Sequence, residues 1–282
     1  MRAEPGRNRW TAFHGGVALE CSGGVKLWKL VHLHYTLCVL HRGRADWKYR
    51  QSHFSVEPGA IYVCEPGEAH ETSRVYCPGD FTVLFLDPSE IRAVADELGI
   101  RGEPHFPLEG IESPESLSAF SRFRAQLADS SPAQLEQALA GLTSQLLLSA
   151  NPSAQSLRAS ESALVRARRL LEDQFLADPT QRLCVRSLAR DVGVPYHSLV
   201  HGFSKYYAIA PYEFVSSMRA QYTLSELRRG PSSECSTLTG VAHKWGYADS
   251  AHMTRALRRH FAATPGTLAQ QLNPSWTRSR RS

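Results

Sequence analysis

Between residues 31 and 87 short apolar runs are broken by turn residues: VHLHYTLCVLHRG, SHFSVEPGAIYVCEPGEAH and RVYCPGDFTVLFLD. His32 and His34 alternate with Leu33 and Tyr35, and the run 81–86 is bounded by PGD and DP. These are strand signals with closely spaced turns, and they predict a small antiparallel β-sandwich or barrel. From residue 114 the period becomes helical. SPESLSAFSRFRAQL and SPAQLEQALAGLTSQLLLSA each open with Ser-Pro and a Glu in or near the first turn, as helix starts do. Leu135, Leu139, Leu142 and Leu146 recur at three and four residues, giving one apolar face. That face either lies on the barrel or meets a helix of a second subunit, and the reading carried forward is a dimerisation segment. The stretch NPSAQSLRASES, residues 151–162, has the composition of a linker.

Beyond the linker the apolar positions repeat. Val185, Leu188, Ala189, Gly193 and Val194 recur at the same spacing as Leu238, Val241, Ala242, Gly246 and Tyr247. After a one-residue insertion, Leu199, Phe203, Tyr207 and Pro211 match Met253, Leu257, Phe261 and Pro265. The spacing suits a helix-turn-helix: a small Ala lets two helices cross closely, a Gly four residues on supplies the turn, and the second helix buries residues four apart. The outward positions of the second helices are then Tyr196, His197, Val200, His201 and Lys205 in the first unit. In the second they are Ser250, Ala251, His252, Thr254, Arg255, Arg258 and Arg259. Arg255 is placed to bond a guanine bidentately, whereas Lys205, Arg258 and Arg259 fall at helix ends suited to phosphates. A helical bundle with a solvated basic face is the plainer reading of the same pattern.

Charge sharpens that choice. Residues 161–282 carry 17 Lys and Arg against 9 Asp and Glu, a net of +8, while residues 1–160 carry a net of −3. A basic half joined to a mildly acidic one suits a phosphate backbone, although solubility or an anionic membrane surface would also account for it. The length of 282 residues and a hydrophobic fraction of 42% fit two globular domains. No apolar run suggests a membrane span or a signal peptide, so a cytoplasmic protein is expected. Six scattered cysteines without a CxxC pair read as reduced, partly buried thiols.

The segments SLARDVGV, LVHGFSKYYAIAPYEFV, RAQYTLSELRRG and LTGVAHKWGYADSAHMTRALRRHFAATP stand in the order found in the AraC/XylS family, whose DNA-binding domain they resemble. The resemblance covers about the last 40% of the chain. It implies two helix-turn-helix units joined by a central helix, placed in successive major-groove segments on one face of DNA. Three residues depart from the family pattern: Leu257 stands where Phe is usual, His201 where many members carry Arg, and Gly202 where a bulky residue is usual.

The N-terminal half in turn resembles the two cupin motifs, in HLHYTLCVLHRG and EPGAIYVCEPGEAHE. Imidazoles at His32, His34 and His70 suit Zn, Ni or Fe. The glutamate that a metal cupin supplies after HxH is missing, since Tyr35, Thr36, Leu37 and Cys38 follow. No metal and no cofactor are therefore expected. The histidines either bond a small ligand or satisfy one another, and Cys38, Trp47 and Tyr62 on neighbouring strands would complete a mixed pocket.

The fold expected is α+β with two domains: an N-terminal antiparallel β-barrel or sandwich, cupin-like and followed by helices, then an all-α double helix-turn-helix. Its parts are a sensing domain at 10–112, a helical segment at 113–150, the linker, a DNA-binding domain at 163–272 and a flexible basic tail at 273–282. The helix-turn-helix units fall at about 183–206 and 236–260. Their resemblance implies a transcriptional regulator, an activator controlled by a small-molecule effector. Its partners would be double-stranded promoter DNA, RNA polymerase and a second copy of the chain, with no membrane. The competing class is a metal-dependent cupin enzyme with a DNA-binding tail; no GxSxG, HExxH or P-loop supports catalysis.

Overall fold

A computed structural model describes residues 6–128, 130–150, 163–233 and 235–278. The N-terminal half is built on seven strands: β1 (Arg7–Phe13), β2 (Gly16–Gly24), β3 (Lys29–Val31), β4 (Tyr35–Tyr49), β5 (Ser52–Val56), β6 (Ile61–Cys64) and β7 (Ala69–Leu86). They form one antiparallel sheet in the order β1-β2-β7-β4-β5, with β3 also on β7 and β6 on β4. The long strands β4 and β7 lie side by side, and register breaks between Leu40 and Trp47 bend the pair. Each therefore holds one neighbour at one end and a different neighbour at the other.

Alternation along these two strands separates two faces. Leu37, Val39, Leu84 and Leu86 pack beneath α1 (Pro88–Glu97), α2 (Pro114–Gln126) and α3 (Pro132–Leu148). Thr36, Cys38, Leu40, Val83 and Phe85 line a cavity on the other face. The Ser-Pro starts are helix starts: Ser113 and Ser131 accept hydrogen bonds from the backbone N–H of Ser116 and Gln134. Leu139, Leu142 and Leu146 are buried and Leu135 is half-buried against the sheet. The stripe expected to join two subunits thus covers this subunit's own sheet, whose apolar outer face would otherwise meet water. The expected linker, 151–162, lies outside the described residues.

The C-terminal half is helical: α4 (Ala163–Ala177), α5 (Val185–Asp191), α6 (Tyr196–Tyr207), α7 (Pro211–Arg229), α8 (Leu238–Lys244), α9 (Ser250–Phe261), α10 (Pro265–Leu272) and α11 (Ser275–Arg278). The sequence repeat is a structural one. Gly193 and Gly246 have φ of 74° and 70°, and the next residues, Val194 and Tyr247, donate to the carbonyls of Ala189 and Ala242 at 3.0 and 2.9 Å. Gly246 has a second reason to lack a side chain, since a Cβ would lie 2.0 Å from the carbonyl oxygen of Pro179. Both second helices end on a left-handed alanine, Ala208 and Ala262. Trp276 is buried and its Nε1 donates to the Leu227 carbonyl at 2.8 Å, so the expected tail opens with a docked turn; residues 279–282 lie outside the described residues. No helix among the described residues is long and apolar enough to cross a membrane.

Candidate nucleic-acid interface and ligand cavity

Helix α9 starts at Asp249, whose carboxylate accepts from the backbone N–H of His252 at 2.5 Å. It buries Met253, Ala256, Leu257, His260 and Phe261. That leaves Ser250, Ala251, Arg255, Arg258 and Arg259 exposed, with His252 and Thr254 half-buried. Among the described residues the Arg255 and Arg258 side chains make no hydrogen bond or ion pair. The Thr254 hydroxyl is engaged, donating to the Ser250 carbonyl at 2.8 Å. His252 is held at the helix start: its Nδ1 accepts from Ala248 at 3.3 Å and its ring meets the Tyr247 ring edge-on.

Helix α6 buries Leu199, Phe203 and Tyr207 and exposes His197, His201 and Lys205. Tyr196 and Val200 are half-buried, and the guanidinium of Arg186 lies 5.0 Å over the Tyr196 ring. Gly202 faces α4, where an added Cβ would approach Leu164 to 3.3 Å, so the missing side chain permits a close helix crossing. Helix α7 packs against α6, α8 and α9. Two outward helix faces, one basic at Arg255, Arg258 and Arg259, are in this way mounted on one rigid helix.

The cavity in the sheet holds about 70 Å³, several times the roughly 10–15 Å³ that one water needs. Its wall is mostly aliphatic and aromatic, with Lys26, Arg44, His32 and His70 among the lining residues. Of the residues expected to form a pocket, His32, Cys38, Trp47 and His70 line it. His32 Nδ1 lies 2.8 Å from Thr36 Oγ1, His32 Nε2 lies 2.5 Å from His70 Nδ1, and the His70 ring packs on Trp47 at 4.6 Å. Burial holds both imidazoles below their usual pKa, His70 at about 4, and His32 is lowered further by His70 and His34. Both rings are neutral at pH 7.

Tyr62 is not on the cavity wall: its hydroxyl accepts from the Glu57 N–H at 3.0 Å, and its ring packs on Phe54 and Trp47. His34 is also elsewhere. Residues 32–34 form a bend between β3 and β4 rather than a strand, because His32 N donates to Glu68 O and His32 O accepts from Gly67 N, both at 2.7 Å. The bend turns His34 away from His32 and towards the helical half, where it lies 3.3 Å from both Asp87 Oδ1 and Gln221 Oε1.

That junction was not legible in the sequence. Val31 N donates to Ser217 Oγ at 2.9 Å and Val31 O accepts from Gln221 Nε2, so strand β3 is bonded to α7. Arg228 of α7 pairs with Asp87 at 2.7 Å, and Lys29 with Glu213 at 3.3 Å. Burial alone would raise the Asp87 pKa, but hydrogen bonds from His34 and Arg228 outweigh it and hold it at about 2. Trp10 donates its backbone N–H to Gln271 Oε1 at 2.9 Å and meets the Phe261 ring edge-on. Lys26, at the cavity, donates to the carbonyl of Arg259 at 2.5 Å. The contacts between the two halves join ordinary residues more than a hundred positions apart, and no local pattern marks them.

Comparison with known proteins agrees with the two-part fold. Residues 25–176 match the AraC-like ligand binding domain family, and residues 188–271 match a helix-turn-helix domain family. No curated protein sequence matches the chain. Its fold is similar to that of ToxT from Vibrio cholerae, with a TM-score of 0.50 at 13% identity over 89% of this chain and 99% of that one. Similar, too, are ToxT bound to an unsaturated fatty acid (TM-score 0.53, 10% identity, 96% and 97% covered) and ToxT bound to (E)-4-(8-methylnaphthalen-1-yl)but-3-enoic acid (0.52, 13%, 96% and 100%). With its ligand-binding sheet joined to two helix-turn-helix units, the chain belongs to the AraC family of DNA-binding transcriptional regulators.

Proposed function

We propose that this protein activates transcription, reading promoter DNA with α6 and α9 under the control of a small apolar carboxylate held in the cavity. The observation that carries the reading is the double role of β3. Leu30 lines the cavity, while the neighbouring Val31 peptide is hydrogen-bonded to Ser217 and Gln221 of α7, the helix on which both DNA-reading units are mounted. A ligand pressing on Leu30 acts on that helix through one residue. Lys26 supplies a second connection. It lines the cavity and donates to the last turn of α9, so a carboxylate drawing the ammonium inward would compete with the Arg259 carbonyl. The apolar wall with cations at Lys26 and Arg44 supports an amphipathic acid as the ligand class, and ToxT structures hold ligands of that class.

The effect of such a ligand is limited to the difference in its affinity for the two domain arrangements, about 1–3 kcal/mol, or about 5- to 150-fold in DNA affinity. Octanoate titrated into the full chain with a selected DNA duplex provides the test, read by fluorescence anisotropy. The expected result is a change in DNA affinity that disappears when the cavity is filled by Leu30→Trp and weakens in Lys26→Gln. A response of equal size in Leu30→Trp would place the ligand elsewhere.

A further inference from the structure

Cys64 has no part in the regulatory reading, yet it stands beside two residues of the cavity wall, His32 and His70. It ends β6, His70 lies near the start of β7, and His32 sits in the bend after β3. Pairing of β4 with β6 sets Thr36 opposite Cys64, and pairing of β3 with β7 sets Leu30 opposite His70. Three separate segments thereby bring two imidazole nitrogens and one thiol sulfur within 4.8 Å of one another. All three side chains are buried, and the Cys64 thiol has no hydrogen bond among the described residues. His32 is oriented through its other nitrogen by Thr36, as the outer partner of a metal-binding imidazole does.

We propose that His32, Cys64 and His70 bind one thiophilic metal ion, copper(I) in preference to zinc, at the floor of the cavity. The ligand set decides the softness of the ion: thiolate with imidazole suits Cu(I) and Zn(II) and disfavours magnesium or calcium. Charge decides between those two. One thiolate and two neutral imidazoles carry −1, so Cu(I) makes the buried centre neutral whereas Zn(II) leaves it at +1 in an apolar wall. The buried carboxylate next to Cys64 in sequence does not balance that charge, because Glu65 is already engaged by Arg50, His105 and the Phe106 N–H.

Binding balances simply. Cys64 loses its thiol proton to solvent as the Sγ–Cu bond forms, and copper enters and stays as Cu(I). The proton now shared between His32 Nε2 and His70 Nδ1 moves to the outer nitrogen of its own ring, where Thr36 Oγ1 accepts it if the ring is His32. The ion displaces the Cys64 proton as it binds, so affinity rises with pH. Because His32 directly follows Val31, an ion here would also fix the peptide that faces α7. Metal binding itself does not depend on the regulatory reading, so the two can fail separately.

The test is an anaerobic titration of the metal-stripped, reduced full chain with Cu(I) against the chromophoric chelator bicinchoninate, and with Zn(II) against 4-(2-pyridylazo)resorcinol. One equivalent of Cu(I) should be held by the wild type and by Cys184→Ser, whose exposed thiol controls for adventitious binding. Thr36→Val should weaken binding about 10- to 100-fold, and Cys64→Ser and His70→Asn should lose the equivalent while keeping a wild-type circular dichroism spectrum. If Cys64→Ser does not fold, X-ray absorption on copper-loaded wild type should show one sulfur and two nitrogen neighbours. Absence of stoichiometric Cu(I) binding, undiminished binding in folded Cys64→Ser, a copper shell without sulfur, or tighter binding of zinc than copper would each overturn the assignment.

Discussion

Three buried imidazoles, His32, His70 and His260, are held neutral by the fold. Burial is the first cause for each, and Arg259 and Lys26 add to it at His260, which like His70 falls to about 4. The unfolded chain takes up protons at these residues below about pH 6.5 while the folded chain does not, so folding stability is full above that pH and is lost as pH falls towards 4. His70 and His260 should each add a slope of up to about 1.4 kcal/mol per pH unit over that window, and His32 acts in the same direction. Asp87 works in the next window down: held at about 2 in the folded state, it contributes stability that is present above about pH 4 and lost as pH falls towards 2. Urea midpoints measured from pH 7 to pH 4 should fall steadily, and His260→Leu should flatten the curve. A wild-type profile flat between pH 6.5 and 4 would contradict the neutral imidazoles. The resemblance to the cupin motifs pointed to His32 and His70, but it put His34 with them, and alternate residues share one face only while the chain stays a strand. A three-residue bend was enough to send His34 to the domain junction, and Cys64, read as one of six scattered thiols, had no pattern that could place it beside His32.

The repeated helix-turn-helix is the element the sequence described most fully, down to the two glycines with positive φ, because its constraints are local in the chain. What spacing did not show is that both recognition helices end on alanine in the left-handed region, Ala208 and Ala262, where glycine is the usual residue. Relief of that strain, less the extra freedom of the unfolded glycine chain, should make Ala262→Gly more stable by about 0.5–1 kcal/mol. A loss of thermal stability in that variant would show that the alanine methyl is making contacts that outweigh the backbone cost. The leucine stripe of α3 was equally plain in sequence, yet its destination was not: a stripe does not specify whether it covers a sheet of the same chain or a helix of another. The β3–α7 junction was invisible because it rests on backbone groups of Val31 meeting side chains some 186 to 190 positions away. Removing one of those bonds with Gln221→Ala should leave DNA selection intact and shrink the change in DNA affinity that octanoate produces. A full-sized octanoate response in this variant would mean that the signal bypasses β3.

At the scale of the whole molecule the charge follows the architecture, with the net of +8 confined to the half that carries α6 and α9. The acidic half contributes the cavity and a wall against α7 and the end of α9; on the proposed reading α7 holds the DNA-reading helices relative to each other and the sensor biases them from behind. The proposed reading requires that one chain read two major-groove segments. The most direct measurement is selection of binding sites from random duplex DNA by the full chain, repeated with Arg255→Ala. The account predicts that the wild type selects two blocks of sequence centred about 10–10.5 base pairs apart, one helical turn, on one face of the duplex. It also predicts that Arg255→Ala, at a cost of about 1–3 kcal/mol on its best sites, loses the preference in one block and keeps the other. Wild-type selection of no sequence, or of a motif that Arg255→Ala reproduces unchanged, would contradict it.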